Sequence, residues 1–266
     1  MICVLGDAHI DVVVRLSALP AEETDTPVST VLAVGGQAAN VAAWAAVLGG
    51  RSRLITARGT DGGARLVADE LARRGVELVG PVIAGRTGVV VSLSDGGGKR
   101  SMLTDRGVGP LLSAAAFQDG WLDGCAWLHL PAYSLVAEPV SGAAFAAARG
   151  AAARGARLSV DLSSTAALSA YGVHRFRALI EALRPDVVLG NQAEAALVGP
   201  LAGTELVVKL GAGGVRAGGR HFPAAATQAV DSTGAGDAFA AGYLVGGIEL
   251  GLRAAARAVA RMGAMP

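Results

Sequence analysis

The chain has 266 residues, of which 52% are hydrophobic and 17% charged, with a formal net charge of +1. This composition excludes a disordered chain, and the near-neutral charge argues against nucleic acid or an anionic membrane as partner. The length suits one large α/β domain over residues 1–266, with a sizeable core. Basic residues are scattered and nearly all Arg, with only Lys99 and Lys209 as exceptions. Cys3 and Cys125 both lie in apolar runs and read as free buried thiols. The chain starts almost directly on an apolar strand and has no run of membrane-spanning length, so a cytoplasmic protein is expected.

In chain order, residues 2–5 form a short strand ending at Gly6-Asp7. Residues 11–14 continue extended, 19–27 are a polar turn region, and 28–34 read as a strand running into Gly35-Gly36. A helix over 38–48 is closed by Gly49-Gly50. A strand over 53–57 and an amphipathic helix over 63–74, ended by Gly75, follow. This βα alternation predicts a parallel sheet. The pattern changes at Thr87. Residues 88–93 and 100–104 are two β-rich runs around Asp95-Gly96-Gly97-Gly98, a hairpin signal that reads as an inserted lid. The βα rhythm resumes with strands over 127–130, 158–162, 187–189 and 206–210, and helices over 136–154, 173–183 and 192–198. Ala229-Val230 reads as the end of a buried strand, 238–244 as an Ala-rich helix, and 250–262 as the last helix.

The most informative stretch is Asp231-Ser232-Thr233-Gly234-Ala235-Gly236-Asp237-Ala238-Phe239. Two glycines and small residues make a tight turn, and the N–H groups of residues 234–237 fall at a helix N-terminus. Such a terminus has unpaired donors and partial positive charge, so it suits an anion. Asp237 sets a carboxylate beside it. A phosphate cradle next to a carboxylate fits phosphoryl transfer to a hydroxyl, with the carboxylate taking the proton. The plainer alternative is a glycine turn whose Asp caps a helix.

The nine-residue string closely resembles the C-terminal signature of the ribokinase-like carbohydrate and nucleoside kinases, the PfkB family. The resemblance implies a three-layer α/β/α core with a mostly parallel sheet and a small β lid, here over about 12–34 and 86–108. It implies ATP and Mg²⁺ as cofactors, and a monovalent cation such as K⁺ is a further possibility. A second string, Gly35-Gly36-Gln37-Ala38-Ala39-Asn40, joins a strand to a helix. It resembles the family's N-terminal signature, which contacts the acceptor sugar, and so implicates Gly35, Gly36 and Asn40.

Further motifs fit the same pattern. Asp7, His9 and Asp11 follow the first strand, at the carboxyl edge where open α/β sheets bind ligands. Asp11 matches a family carboxylate that chelates sugar hydroxyls; His9 stands where many members carry Asn. Asn191-Gln192-Ala193-Glu194 reads either as a capping box or as an amide and carboxylate that order a hydrated Mg²⁺. The resemblance favours the latter. Lys209-Leu210-Gly211-Ala212-Gly213 resembles the family's nucleotide-binding turn, with Lys209 either a phosphate contact or a strand-end charge. Asp161 ends a strand and is a candidate for the metal–phosphate network. Asp231 and Thr233 resemble cation-binding or turn-stabilising positions. Arg106-Gly107 resembles an Arg-Gly-Ala-Asn stretch whose last two residues are here Val108-Gly109.

No G-x-x-x-x-G-K-[ST] occurs, which excludes a P-loop enzyme, and no G-x-G-x-x-G follows a first strand, which argues against a dinucleotide oxidoreductase. Four histidines without ligand spacing argue against a zinc site. The proposed lid has no Phe, Tyr or Trp to stack on a base, which favours a free sugar over a nucleoside as acceptor. Arg100 and Arg106 keep an acidic or phosphorylated sugar open. The nucleotide side looks shortened relative to the family. Exposed lid strands predict a homodimer through the lid.

Overall fold

The computed structural model describes residues 1–16, 20, 22–94 and 100–266, with Arg100 described by its backbone alone. The 95–98 turn, Lys99 and the Arg100 side chain therefore lie outside the described residues. The chain opens with β1 (Ile2–Leu5), β2 (His9–Arg15) and β3 (Ser29–Gly35), then α1 (Gln37–Val47). β4 (Ser52–Ile55), α2 (Gly62–Arg73) and β5 (Val76–Val79) follow, then β6 (Thr87–Ser94) and β7 (Arg100–Gly107). The second half runs through β8 (Trp127–Pro131), α3 (Ala132–Val136), α4 (Val140–Ala153), β9 (Arg157–Asp161), α5 (Thr165–Tyr171) and α6 (Val173–Leu183). It closes with β10 (Val187–Asn191), α7 (Gln192–Val198), β11 (Glu205–Lys209), β12 (Val215–Ala217), β13 (Arg220–Phe222) and α8 (Ala235–Val259).

The main sheet has the order β13-β12-β11-β10-β9-β8-β1-β4-β5 among the described residues. It is parallel from β5 to β11, and the β12–β13 hairpin adds antiparallel pairs at one edge. The chain builds outward from β1 to β5, then returns to β8 on the other side of β1. That reversal makes the carboxyl ends of β1 and β8 the switch point where such sheets bind ligands. A second sheet, β3-β2-β6-β7, stands apart from the first.

Strand alternation feeds two cores. Val4, Leu54, Leu189 and Val207 pack against α1, α2 and α8, with Trp44 fully buried. Leu5, Ile55, Leu128 and Leu130 face the other way, against α3 to α6 and Phe176. Three α/β/α layers result. Cys3 is buried and Cys125 half-buried, and both are free thiols.

The structure corrects several expectations. The helix expected over 136–154 is two helices, α3 and α4, because Pro139 lacks the N–H that a continuous helix needs. Ala229-Val230 does not end a buried strand: Val230 is 57% exposed. The β12–β13 hairpin already occupies that sheet edge, and the N–H groups of Val230 and Asp231 donate to the Val259 carbonyl instead. The helices expected over 238–244 and 250–262 are both part of α8, which breaks at Gly246-Gly247 and ends at Val259. β5, α5 and the β12–β13 hairpin were not foreseen.

Candidate active site

Two helix N-termini meet at the switch point. α1 starts at Gly36, whose φ of 105° is accessible mainly to glycine. A Cβ there would lie 2.5 Å from the Asp7 carbonyl oxygen, so the strand end and the helix start require this residue to be bare. α8 starts at Gly234, φ 73°, where a Cβ would press to 2.6 Å from Ala264 Cα. The first N–H groups of α8 lie in this turn, the part of a helix without intrahelical acceptors; the Ala235 N–H donates to the Ser232 carbonyl at 3.3 Å.

Asp231 organises the approach to the turn. Its Oδ1 accepts from the Thr233 N–H at 2.9 Å and the Thr233 hydroxyl at 2.5 Å, and its Oδ2 accepts from the Gly263 N–H at 3.1 Å. Both residues therefore hold the turn in place.

One hydrogen bond joins the two helices: Asn40 Nδ2 donates to Asp237 Oδ2 at 2.8 Å. Burial pushes the Asp237 carboxyl up to about 7; the Asn40 bond pulls it down, Asp161 pushes it up and Lys209 pulls it down. The group thus has a proton affinity suited to taking a proton near neutrality.

Lys209 ends β11 and reaches under the same turn. Its Nζ donates to Asp161 Oδ2 at 2.7 Å, and a Cβ on Gly236 would lie 3.2 Å from it. Burial alone would lower the Lys209 pKa, yet Asp161, then Asp237 and Glu194, hold it above its ordinary value. Lys209 Nζ thus lies beside the start of α8.

Asn191 and Glu194 form a full capping box at the start of α7. Glu194 N–H donates to Asn191 Oδ1 at 2.9 Å, and Asn191 N–H donates to Glu194 Oε2 at 2.8 Å. Burial raises the Glu194 carboxyl, and Asp161 adds to this. Among the described residues no group of three His, Cys, Asp or Glu forms a metal cluster. Asn191 and Glu194 offer only one or two oxygens, so the pair suits a metal that keeps most of its water, as Mg²⁺ does. Asp161 accepts from Lys209 on Oδ2 and from the Ser163 N–H on Oδ1 at 2.9 Å.

On the second sheet, His9 Nε2 lies 3.0 Å from Asp11 Oδ1, and a Cβ on Gly35 would collide with the Asp11 carboxylate. A cavity of about 850 Å³ opens beside Asp11 and reaches Asp231 and Thr233. Arg106 does not point freely into the cleft: it pairs with Asp7 and lies 5.1 Å over the Tyr133 ring. Asp7 lies at the carboxyl edge as the sequence predicts, but its pairing with Arg106, 99 positions away, is not visible in the sequence. Gly211 and Gly213 form an exposed single turn between β11 and β12, just beyond Lys209.

The profile of the pfkB family carbohydrate kinases matches residues 1–265. The chain is 33% identical to a fructokinase of Klebsiella pneumoniae, over 92% of this chain and 83% of the relative. It is 32% identical to an ATP-dependent ribose-1-phosphate kinase of Halopiger xanaduensis, over 92% of this chain and 84% of the relative. Its fold superposes with a TM-score of 0.85 on an Escherichia coli protein described as a ribokinase II and solved with ATP and Mg²⁺, at 20% identity, covering 99% of this chain and 94% of that one. The chain belongs to the pfkB family of carbohydrate kinases.

Proposed function

We propose that this protein transfers the terminal phosphoryl group of ATP to a primary hydroxyl of a sugar or sugar-like acceptor. The observation that carries the reading is Asp237, with a pKa near 7, hydrogen-bonded to Asn40 where two helix N-termini converge. In this reading Asp11, Gly35, Gly36 and Asn40 hold the acceptor, and His9 orients Asp11. Asp237 takes the proton of the acceptor hydroxyl as that oxygen bonds to phosphorus and the bond to the departing ADP oxygen breaks. Gly234, Ala235 and Gly236 offer N–H groups to the migrating phosphoryl group, and Lys209 supplies a fixed positive charge beneath them. Gly211 and Gly213 border the nucleotide.

Glu194, with Asn191 setting its orientation, would hold a hydrated Mg²⁺. Bound there, the ion neutralises phosphate charge. Asp231 and Thr233 keep the turn in register, and a monovalent cation such as K⁺ behind that turn is part of the proposal. Residues about 12–34 and 86–108 act as a lid that excludes water, which would otherwise compete as acceptor.

A homodimer through the lid belongs to the same reading. Leu32, Val12, Val91 and Leu103 form one cross-strand row. Its ends are open, with Leu32 62% and Leu103 58% exposed. A continuous apolar row on a two-edged sheet fits a second copy of itself. The cytoplasm is the compartment this reading implies.

The test is a screen of neutral sugars and nucleosides by ADP release and by thermal shift. ATP-dependent turnover of a free sugar is expected. Binding of a sugar with no turnover of any acceptor would replace the kinase by a non-catalytic sugar-binding protein.

A further inference from the structure

The 850 Å³ cavity has two chemically different ends. Asp11 and Arg15 both line it and stand four residues apart on β2, so they share one face of the small sheet. Their Cα atoms are about 13 Å apart at the rise of a strand. At the first end, Asp11 Oδ1 is buried and accepts no hydrogen bond. The His9 ring lies 3.0 Å away without the alignment of a hydrogen bond. A ligand at this end must bring a donor, and a sugar hydroxyl is one.

The second end is basic. Arg15, Arg73, Arg74 and Arg261 line the cavity, and contacts through the last residues of the chain gather them. Arg15 Nη2 lies 3.3 Å from the sulfur of Met262, the residue after Arg261. Arg74 Nη2 donates to the Pro266 carbonyl oxygen at 3.0 Å, and Arg73 and Arg74 both pair with Glu70. One carboxylate thus serves two guanidinium groups. The other carboxylates on the cavity wall are engaged elsewhere: Asp231 by the Thr233 and Gly263 N–H groups, Asp11 beside His9. Among the described residues, Arg15 and Arg261 pair with no carboxylate. The Arg261 guanidinium lies 5.4 Å over the Trp44 ring, whose indole N–H donates to the Ala264 carbonyl at 2.9 Å. Burial lowers the Arg261 pKa, and the nearby Arg257 and Arg74 lower it further. Cations crowded in this way are relieved by an anion between them. A guanidinium fork matches the paired oxygens of a phosphate or carboxylate.

We propose that the arginine end is an anion subsite of the acceptor cavity, where Arg15 and Arg261 grip a phosphate or carboxylate group of a sugar whose hydroxyls meet Asp11. The proposal rests on the kinase reading above and narrows its acceptor class. A neutral sugar enters the same cavity, and its anionic form is preferred. Arg73 and Arg74, held by Glu70, add positive charge around the subsite.

Equilibrium binding without ATP, together with ADP release, tests it on the full chain. The probes are matched sets of a neutral sugar, its sugar phosphates and its sugar acids. The wild type is expected to bind an anionic form roughly tenfold to a hundredfold more tightly than the neutral parent. A preference for the phosphate or for the acid identifies the group, and either supports the proposal. Arg15→Gln/Arg261→Gln removes most of that advantage. Neutral sugars that bind as tightly as both anionic forms would overturn the proposal. So would an advantage that survives the double substitution, or one that survives while the KM for ATP rises, which would assign the two arginines to the nucleotide. If the double variant fails to fold, Arg15→Gln alone decides, because Arg15 is exposed and its one contact is the Met262 sulfur. Arginine-dependent binding of an anionic sugar without turnover would remove the kinase reading and leave this one standing.

Discussion

Asp237 carries the account at the scale of the residue. Its raised proton affinity has two consequences of known sign. As a base it works only when deprotonated, so kcat/KM should fall about tenfold per pH unit below roughly 7. A flat profile from pH 5 to 8 would contradict this. The same shift bears on stability. A carboxyl that binds its proton more tightly folded than unfolded adds stability below the ordinary carboxylate range, and that contribution is lost as pH rises through about 7. Asp237→Asn should therefore melt higher than the wild type at pH 8 and show little difference at pH 4, as calorimetry can read. Much of this site was legible in local strings. Gly234, Ala235, Gly236 and Asp237 are consecutive, and Gly36 and Asn40 are four residues apart. What was not legible depends on distance along the chain. Lys209 becomes a partner of the 234–237 turn only because β11 ends beneath α8. The Asp7–Arg106 pair closes across 99 residues.

Among the elements, α7 offers the sharpest separation of structure from chemistry. Glu194 both caps its helix and is the proposed anchor of hydrated Mg²⁺. Glu194→Gln keeps an oxygen for the Asn191 N–H but removes the charge. It should raise the Mg²⁺ concentration for half activity roughly tenfold with little change in melting. Glu194→Ala removes the cap as well and should cost about 1 kcal/mol in denaturant unfolding. Equal Mg²⁺ requirements in wild type and Glu194→Gln would confine Glu194 to the cap. The elements that the sequence concealed share a physical cause. The 136–154 run is apolar and Ala-rich throughout, so its periodicity hides the break that Pro139 imposes. Ala229-Val230 is apolar enough to end a strand, but the sheet edge is already occupied by β12 and β13. In α8, Gly246-Gly247 interrupts the helix without separating its halves into distinct elements.

For the whole molecule, sheet order decides where chemistry can occur. β1 lies between β4 and β8, so the reversal of the chain brings Asp7, Gly36 and Asn40 to the same edge as the α8 N-terminus. The alternation of strands and helices predicted the parallel sheet and its layers. Nothing local reveals that the second sheet takes β2 and β3 from one part of the chain and β6 and β7 from another, since β2 and β6 pair in parallel across more than 70 residues. The apolar row through Leu32 and Leu103 makes a prediction at this scale. A Leu32→Asp/Leu103→Asp variant should sediment as a monomer where the wild type sediments as a dimer. A wild type that is monomeric at micromolar concentration would contradict the lid-to-lid interface. The central claim is tested most directly by the ATP-dependent turnover of Asp237→Asn with the best acceptor found. The account predicts a loss of roughly 10²–10⁴ in kcat with acceptor binding retained, and near-wild-type turnover in that variant would contradict it.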